Sequence, residues 1–198
     1  MANISAMKGN TEGALVNYSK AIEINPDLID SYLNRAITYS ILPHTPFGKK
    51  LAMQANAQHK DVLLHIPMEA ENGKKLGPGA LTSSMNKAQT LATLQASLAE
   101  IPFAIGINNH MGSLLTQLDE PMNWTMSFLK QHQLLFLDSK TSPNSKASDI
   151  AKNLGVPVNR RDIFLDNQLS QDYISKQFQQ LIKRAKQQEF TIAIAHPH

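Results

Sequence analysis

The sequence contains no cysteine, which removes disulfides, thiolate metal sites and a cysteine nucleophile from consideration. Compartment stays open on this count, since a cysteine-free chain is at home in cytoplasm or periplasm. Charge of one sign is also scarce: 19 Lys and Arg against 16 Asp and Glu leave a formal net charge of +3. An excess this small and dispersed argues against nucleic acid or an anionic membrane as partner. The densest basic cluster, Lys183-Arg184-Ala185-Lys186, falls late in a helical pattern, where cations complement the helix dipole. No apolar run is long enough to span a membrane. The opening residues, from Met1 through Ala6 to Lys8, lack the basic-then-apolar layout of a secretory signal, so the chain as written is expected to be cytoplasmic. Three catalytic motifs are missing too: His-Glu-x-x-His, a glycine-rich phosphate loop and a Gly-x-Ser-x-Gly elbow. Gly77-Pro78-Gly79 is a turn signal. Ser113 and Ser139 lie near histidines, but without an elbow they give a serine hydrolase little support.

The length, 198 residues, suits one domain plus a small appendage, and 42% hydrophobic against 18% charged residues is ordinary for a globular chain. The appendage is expected at residues 1–35, whose texture differs from the rest. Gly9-Asn10-Thr11-Glu12 reads as a turn and helix start; Ala14, Tyr18 and Ala21 then share one helical face, and Pro26 stops the helix. A second helix is expected from Asp27 to Arg35. This resembles part of a tetratricopeptide repeat, whose period is about 34 residues. The plainer alternative is an amphipathic helical hairpin docked on the main domain, and either could contact a protein partner.

From Ala36 the pattern alternates. Strands are expected at 36–42, 61–66, 103–107, 134–137 and 191–195, with a short strand inside 158–165, clearest at 162–165, and helices at 46–56, 86–100, 121–131, 146–154 and 170–188. Residues 67–84 form a long loop rich in Gly and Pro, of the kind that often carries function. Short strands alternating with helices predict an α/β fold of βαβ units with a parallel sheet, open or closed. Right-handed crossovers place the strand ends on one side. Those ends carry Pro43-His44, His65, Asn108-Asn109-His110, Asp138-Ser139, Asp166-Asn167 and His196.

Three apolar runs therefore end at a histidine: Val62-Leu63-Leu64 at His65, Phe103-Ala104-Ile105-Gly106-Ile107 just before His110, and Thr191-Ile192-Ala193-Ile194-Ala195 at His196. Histidine with carboxylate suits a borderline cation such as zinc, with a position left for water. Such a water is acidic enough to attack a carbonyl near neutrality. His65 and His110 are the best ligand candidates; each could equally be a hydrogen-bonded capping residue.

Five ordered stretches carry a more specific resemblance: Leu64-His65-Ile66-Pro67-Met68-Glu69; Gly106-Ile107-Asn108-Asn109-His110-Met111-Gly112-Ser113; Phe136-Leu137-Asp138-Ser139-Lys140-Thr141; Arg161-Asp162-Ile163-Phe164-Leu165-Asp166-Asn167; and Ala193-Ile194-Ala195-His196-Pro197. Together, over about 36–198, they resemble the divergent polysaccharide deacetylase family, a branch of the NodB-homology carbohydrate esterases with an irregular (β/α) barrel. The resemblance implies a metal-dependent hydrolase removing acetyl groups from carbohydrate. It implies His65 and His110 as metal ligands, with zinc as the divalent metal that suits them, and His196 as general acid. It further implies orienting roles for Asp138 and Asp166, a carboxylate-holding role for Arg161, and a pocket shaped by Glu69, Asn108, Asn109, Ser113 and Ser139.

One departure matters. The wider superfamily places an aspartate pair on its first strand, as ligand and general base, and this sequence contains no Asp-Asp. The expectation is an incomplete barrel at 36–198 lacking its first strand and C-terminal end, joined near Arg35-Ala36 to the repeat-like residues 1–35, with impaired metal binding and turnover. Family members are usually periplasmic, which conflicts with the missing signal. The competing expectation is a non-catalytic scaffold that binds glycan or protein.

Overall fold

A computed structural model describes residues 37–188 and 190–197. The expected helical hairpin at 1–35, and the junction proposed at Arg35-Ala36, lie outside the described residues.

Seven strands are present among the described residues. β1 (Tyr39–Ile41), β2 (Val62–Met68), β3 (Gly106–Met111), β4 (Leu135–Asp138) and β5 (Val158–Arg160) form one all-parallel sheet in that order. β6 (Ile163–Phe164) and β7 (Ala193–Ile194) form a second parallel pair. The helices are α1 (Gly48–Ala57), α2 (Lys87–Glu100), α3 (Asp119–Gln131), α4 (Ala147–Leu154) and α5 (Gln171–Ala185), with a 3₁₀ turn at Leu115–Gln117. This is the expected α/β architecture, an incomplete barrel of the deacetylase type.

Central position follows from sequence. β2 reads Val-Leu-Leu-His-Ile-Pro-Met, apolar on both faces, as a strand covered on both sides must be. Its even positions Val62, Leu64, Ile66 and Met68 join Ile107 and Phe136 in a core closed by Leu94 of α2, by Met122, Met126 and Leu129 of α3 and by Ile150 of α4. Its odd positions, including His65, face the other side. Pro67 is tolerated because pairing with β1 ends at Ile41 and Leu64. Beyond that point Leu81 takes over the edge, donating to the Pro67 carbonyl (2.8 Å) and accepting from the Glu69 amide (3.0 Å). The Gly- and Pro-rich loop is thereby stitched to the end of β2.

Helix ends obey local chemistry. Asn86 and Gln89 form a reciprocal capping box at the start of α2. α4 stops at Gly155 in the left-handed conformation (φ 71°). Gly106 sits where β3 runs against β4: a Cβ there would lie 2.5 Å from the Leu135 carbonyl oxygen.

Three expectations needed correction. The strand expected at 103–107 is shifted forward to Gly106–Met111, since Ala104 donates back to Ile101 in the turn after α2. Asn108, Asn109 and His110 therefore lie within β3, not beyond it, and His65 likewise lies inside β2. Polar side chains hid this strand, and they are tolerated in it because each has a partner: Asn108 and His110 bond to His65, and Asn109 to the Met111 carbonyl and the Ser139 amide. The segment 158–165 is two strands in two sheets, with the chain changing sheet at Arg161-Asp162. The end strands are shorter than expected, at Tyr39–Ile41 and Ala193–Ile194.

Candidate functional site

Parallel pairing sets His65 beside Asn108, and Pro67 beside His110. Residues 65, 108 and 110 share one face by strand alternation. Two rings result that touch edge to face, with centroids 4.9 Å apart and planes at 70°. His110 Nδ1 lies 3.1 Å from His65 Nε2, and His65 Nδ1 lies 3.0 Å from Asn108 Oδ1.

The site is held by its neighbours on β4. The Ser139 hydroxyl donates to the Asn109 carbonyl (2.8 Å), and the Ser139 amide donates to Asn109 Oδ1 (2.8 Å). Asn108 Nδ2 donates to Ser139 Oγ at 3.5 Å. Asn109 Nδ2 donates to the Met111 carbonyl (2.6 Å), which also accepts from the Thr141 hydroxyl (2.8 Å). Asn109 thus staples the ends of β3 and β4 from the face opposite His110. Met111 (φ 56°) and Lys140 (φ 48°) take left-handed backbone conformations at the ends of these strands. Local strain of this kind concentrates where a site needs a fixed shape.

Electrostatics keep the pair neutral. Burial pushes His65 down to about 4, against the bond to Asn108, which raises it; His110 and His196 charges lower it further. Burial, then the His196 charge, lowers His110 as well. His196 is thus close enough to act on both rings. It belongs to a stacked column: Arg161 lies over the Phe164 ring (4.8 Å to its centroid), and Phe164 stacks on His196 (5.3 Å, 29°). The Asp166 carboxylate accepts from the His196 amide (2.6 Å) and lies 3.2 Å from its Nδ1. A carboxylate only accepts, so Nδ1 carries the proton. Arg161 Nε donates to the Ser139 carbonyl (2.7 Å) and Nη2 to that of Lys140 (3.0 Å), tying β6 to the end of β4. Burial, opposed by Asp138, lowers Arg161 from its ordinary value.

The remaining candidates divide by position. Asp138 is buried, with Oδ1 accepting the Lys140 amide (2.7 Å) and Oδ2 the Ser145 hydroxyl (2.8 Å), so it caps the turn after β4. Glu69 accepts the Ser83 amide (2.5 Å), and Ser113 Oγ accepts the Glu71 amide (3.1 Å); both fasten the loop rim. The structure thus brings together His65, His110 and Asn108, with Ser139 behind them and His196 nearby. Phe164 was not among the expected site residues. It lies two positions before Asp166 on an extended segment, a spacing that sets both side chains on one face. Two cavities, of about 300 Å³ beside Asn159, Asp162 and Phe190 and about 540 Å³ beside Pro46, Lys50 and Met53, lie away from the histidines.

In nitrogen–nitrogen spacing alone the pair resembles two ligands of a cation, although the contact is a hydrogen bond between the rings. Two nitrogens bound at about 2.0–2.1 Å in a tetrahedron stand about 3.3 Å apart, close to the 3.1 Å observed. Ligating histidines must be neutral, and burial ensures that here. Among the described residues, however, no group of three or more His, Cys, Asp or Glu is placed to hold a metal ion, and no helix is long and apolar enough to cross a membrane.

Comparison with known proteins accords with this picture. A family model described as divergent polysaccharide deacetylase matches residues 31–198, and one for a TPR repeat matches residues 2–40. The uncharacterized protein YibQ of Escherichia coli (strain K12) is 35% identical over 163 residues, 82% of this chain and 51% of that protein. An uncharacterized protein of Haemophilus influenzae (strain ATCC 51907 / DSM 11121 / KW20 / Rd) is 36% identical over 163 residues, 82% of this chain and 58% of that protein. The chain spans a little over half the length of these curated relatives. In fold it is similar to the crystal structure of uncharacterized protein ATU2773 from Agrobacterium tumefaciens C58, with a TM-score of 0.71 at 22% identity, covering 81% of this chain and 75% of that one.

Proposed function

The chain belongs to the divergent polysaccharide deacetylase family, and from that premise we propose that its α/β part binds acetylated carbohydrate and hydrolyses the acetyl group slowly at the His65–His110 pair. The observation that carries this reading is the pair itself: two neutral imidazole nitrogens 3.1 Å apart on adjacent parallel strands. His65 Nε2 and His110 Nδ1 would hold a divalent cation, with zinc favoured by nitrogen donors. When bound, the cation would polarise the acetyl carbonyl and acidify a water. His196, its ring fixed by Asp166 and Phe164, would give a proton to the departing amine or alcohol when it is doubly protonated, keeping the Nδ1 proton on Asp166 and releasing the other from Nε2. Arg161 would hold that column to the β4 end. Asn108 and Ser139 back the pair, and Glu69 and Ser113 shape the rim.

Slow turnover is proposed because the superfamily's adjacent aspartates have no counterpart in this sequence, and two nitrogens alone bind weakly. The same observation supports a second reading, a scaffold that binds glycan or protein without turnover. Zinc uptake by the full chain and acetate release from acetylated chitooligosaccharides separate the two. The deacetylase reading expects bound zinc and slow acetate release, both lost in His65→Ala and His110→Ala. Saturable glycan binding without acetate would favour the scaffold, and rapid release would refute the impairment.

A further inference from the structure

The direction of each hydrogen bond behind the histidine pair can be followed from one fixed point. Ser139 has a single hydroxyl proton and two polar neighbours for its Oγ: the Asn109 carbonyl oxygen at 2.8 Å and the Asn108 amide nitrogen at 3.5 Å. The shorter contact takes the proton, because hydroxyl bonds peak near 2.7–2.8 Å, roughly the distance to Asn109. Ser139 Oγ then meets Asn108 as an acceptor, so it must face the amide's NH₂. The other end of that amide, Oδ1, is left facing His65 Nδ1 at 3.0 Å. An oxygen acceptor there requires the proton on Nδ1. His65 Nε2 is consequently bare, and its lone pair points to His110 Nδ1.

We infer that Asn108, its amide direction set by Ser139, is a positioning residue that locks His65 in the Nδ1-protonated tautomer and so keeps Nε2 unprotonated, able to accept from His110 or to ligate a cation. Both residues are buried, Asn108 at 1% and Ser139 at 4% exposure, so water cannot substitute for either partner. Asn108 and Ser139 are thereby withdrawn from the substrate-contacting set and given a role acting through His65. A histidine ligand commonly has its second nitrogen held by an outer partner, and losing that partner costs about 10- to 100-fold in metal affinity. A neutral amide serves here where a carboxylate would add charge beside a buried ring. In the cation-free chain His110 Nδ1 donates to His65 Nε2, so the His110 proton must pass to its own Nε2 before both nitrogens can ligate.

The inference rests on the cation reading of the pair, but its first test does not need a cation. Long-range ¹H–¹⁵N correlation spectra of the full metal-free chain at pH 7.5 report which ring nitrogen of His65 is protonated. The expectation is Nδ1–H in the unaltered protein and in Asn108→Asp, which keeps an acceptor toward the ring. Asn108→Leu and Ser139→Ala should populate the Nε2–H form. Zinc titration should then show about 10- to 100-fold weaker binding for Asn108→Leu and near-normal binding for Asn108→Asp. An Nε2–H tautomer in the unaltered protein overturns the inference, even should Asn108→Leu fail to fold. So does an unchanged tautomer in a folded Asn108→Leu. If the unaltered chain takes up no zinc, the cation reading falls, while the tautomer spectra still decide the role of Asn108.

Discussion

Acidification should unfold this protein through His65. The ring is neutral when folded because burial holds it at about 4, whereas in the unfolded chain it returns to the ordinary value of 6.5. Between those values the unfolded state binds more protons than the folded state, so stability rises with pH across the window and falls as pH drops through it. The contribution of the neutral ring is intact above 6.5 and is lost progressively down to 4. The linkage relation makes that loss about 2 kcal/mol between pH 7 and pH 5, and about 3 kcal/mol by pH 4. His110 is lowered in the same direction and adds to the trend, so His65 must be isolated by difference. His65→Asn keeps a donor toward Asn108 and has no titrating group. Urea unfolding of both proteins at pH 7, 6, 5 and 4.5 gives the assay. The stability of the unaltered chain minus that of His65→Asn should shrink by about 2 kcal/mol from pH 7 to 5. Parallel pH profiles, or a difference that grows on acidification, would refute the claim that burial governs this ring.

Backbone proximity gives a second expectation. Gly106→Ala would set a methyl 2.5 Å from the Leu135 carbonyl oxygen and 2.6 Å from its Cγ; urea unfolding should report a loss of about 1–3 kcal/mol. Gly73→Ala meets no atom within 4 Å and carries only the strain of φ 64°, so its loss should be about 1 kcal/mol. Asn86→Ala removes the side-chain half of the capping box at α2, the acceptor for the Gln89 amide, and should lower stability by about 1 kcal/mol in the same assay. Zinc at about 100 times its dissociation constant should stabilise the chain by about 2.7 kcal/mol, read as a raised midpoint in thermal denaturation, and the shift should vanish in His65→Asn.

Much of the fold was legible in order and composition. The apolar run before His65 was legible as a strand, and the helix starts at Asn86 and Ser170 are written in their side chains. The residues of the candidate site were legible as candidates, because the quoted stretches carry His65, His110, Asp166 and His196 together. Their roles were less so. β3 was misplaced because a strand of two asparagines and a histidine looks like a loop to any rule based on hydrophobicity. Asp138 had the look of a site carboxylate, and its oxygens turn out to be taken by Lys140 and Ser145.

The sequence alone determined the alternation of strands and helices, the absence of thiol chemistry and of an adjacent aspartate pair, and the family, since each depends on residue identity along the chain. Tertiary structure decided which histidine nitrogen meets which partner. That outcome depends on strand register: pairing His65 with Asn108 and Pro67 with His110 sets two rings in contact across 45 residues of chain. A shift of one residue would send His110 to the opposite face of the sheet, and no local pattern in the sequence records the direction of a proton shared between two such rings.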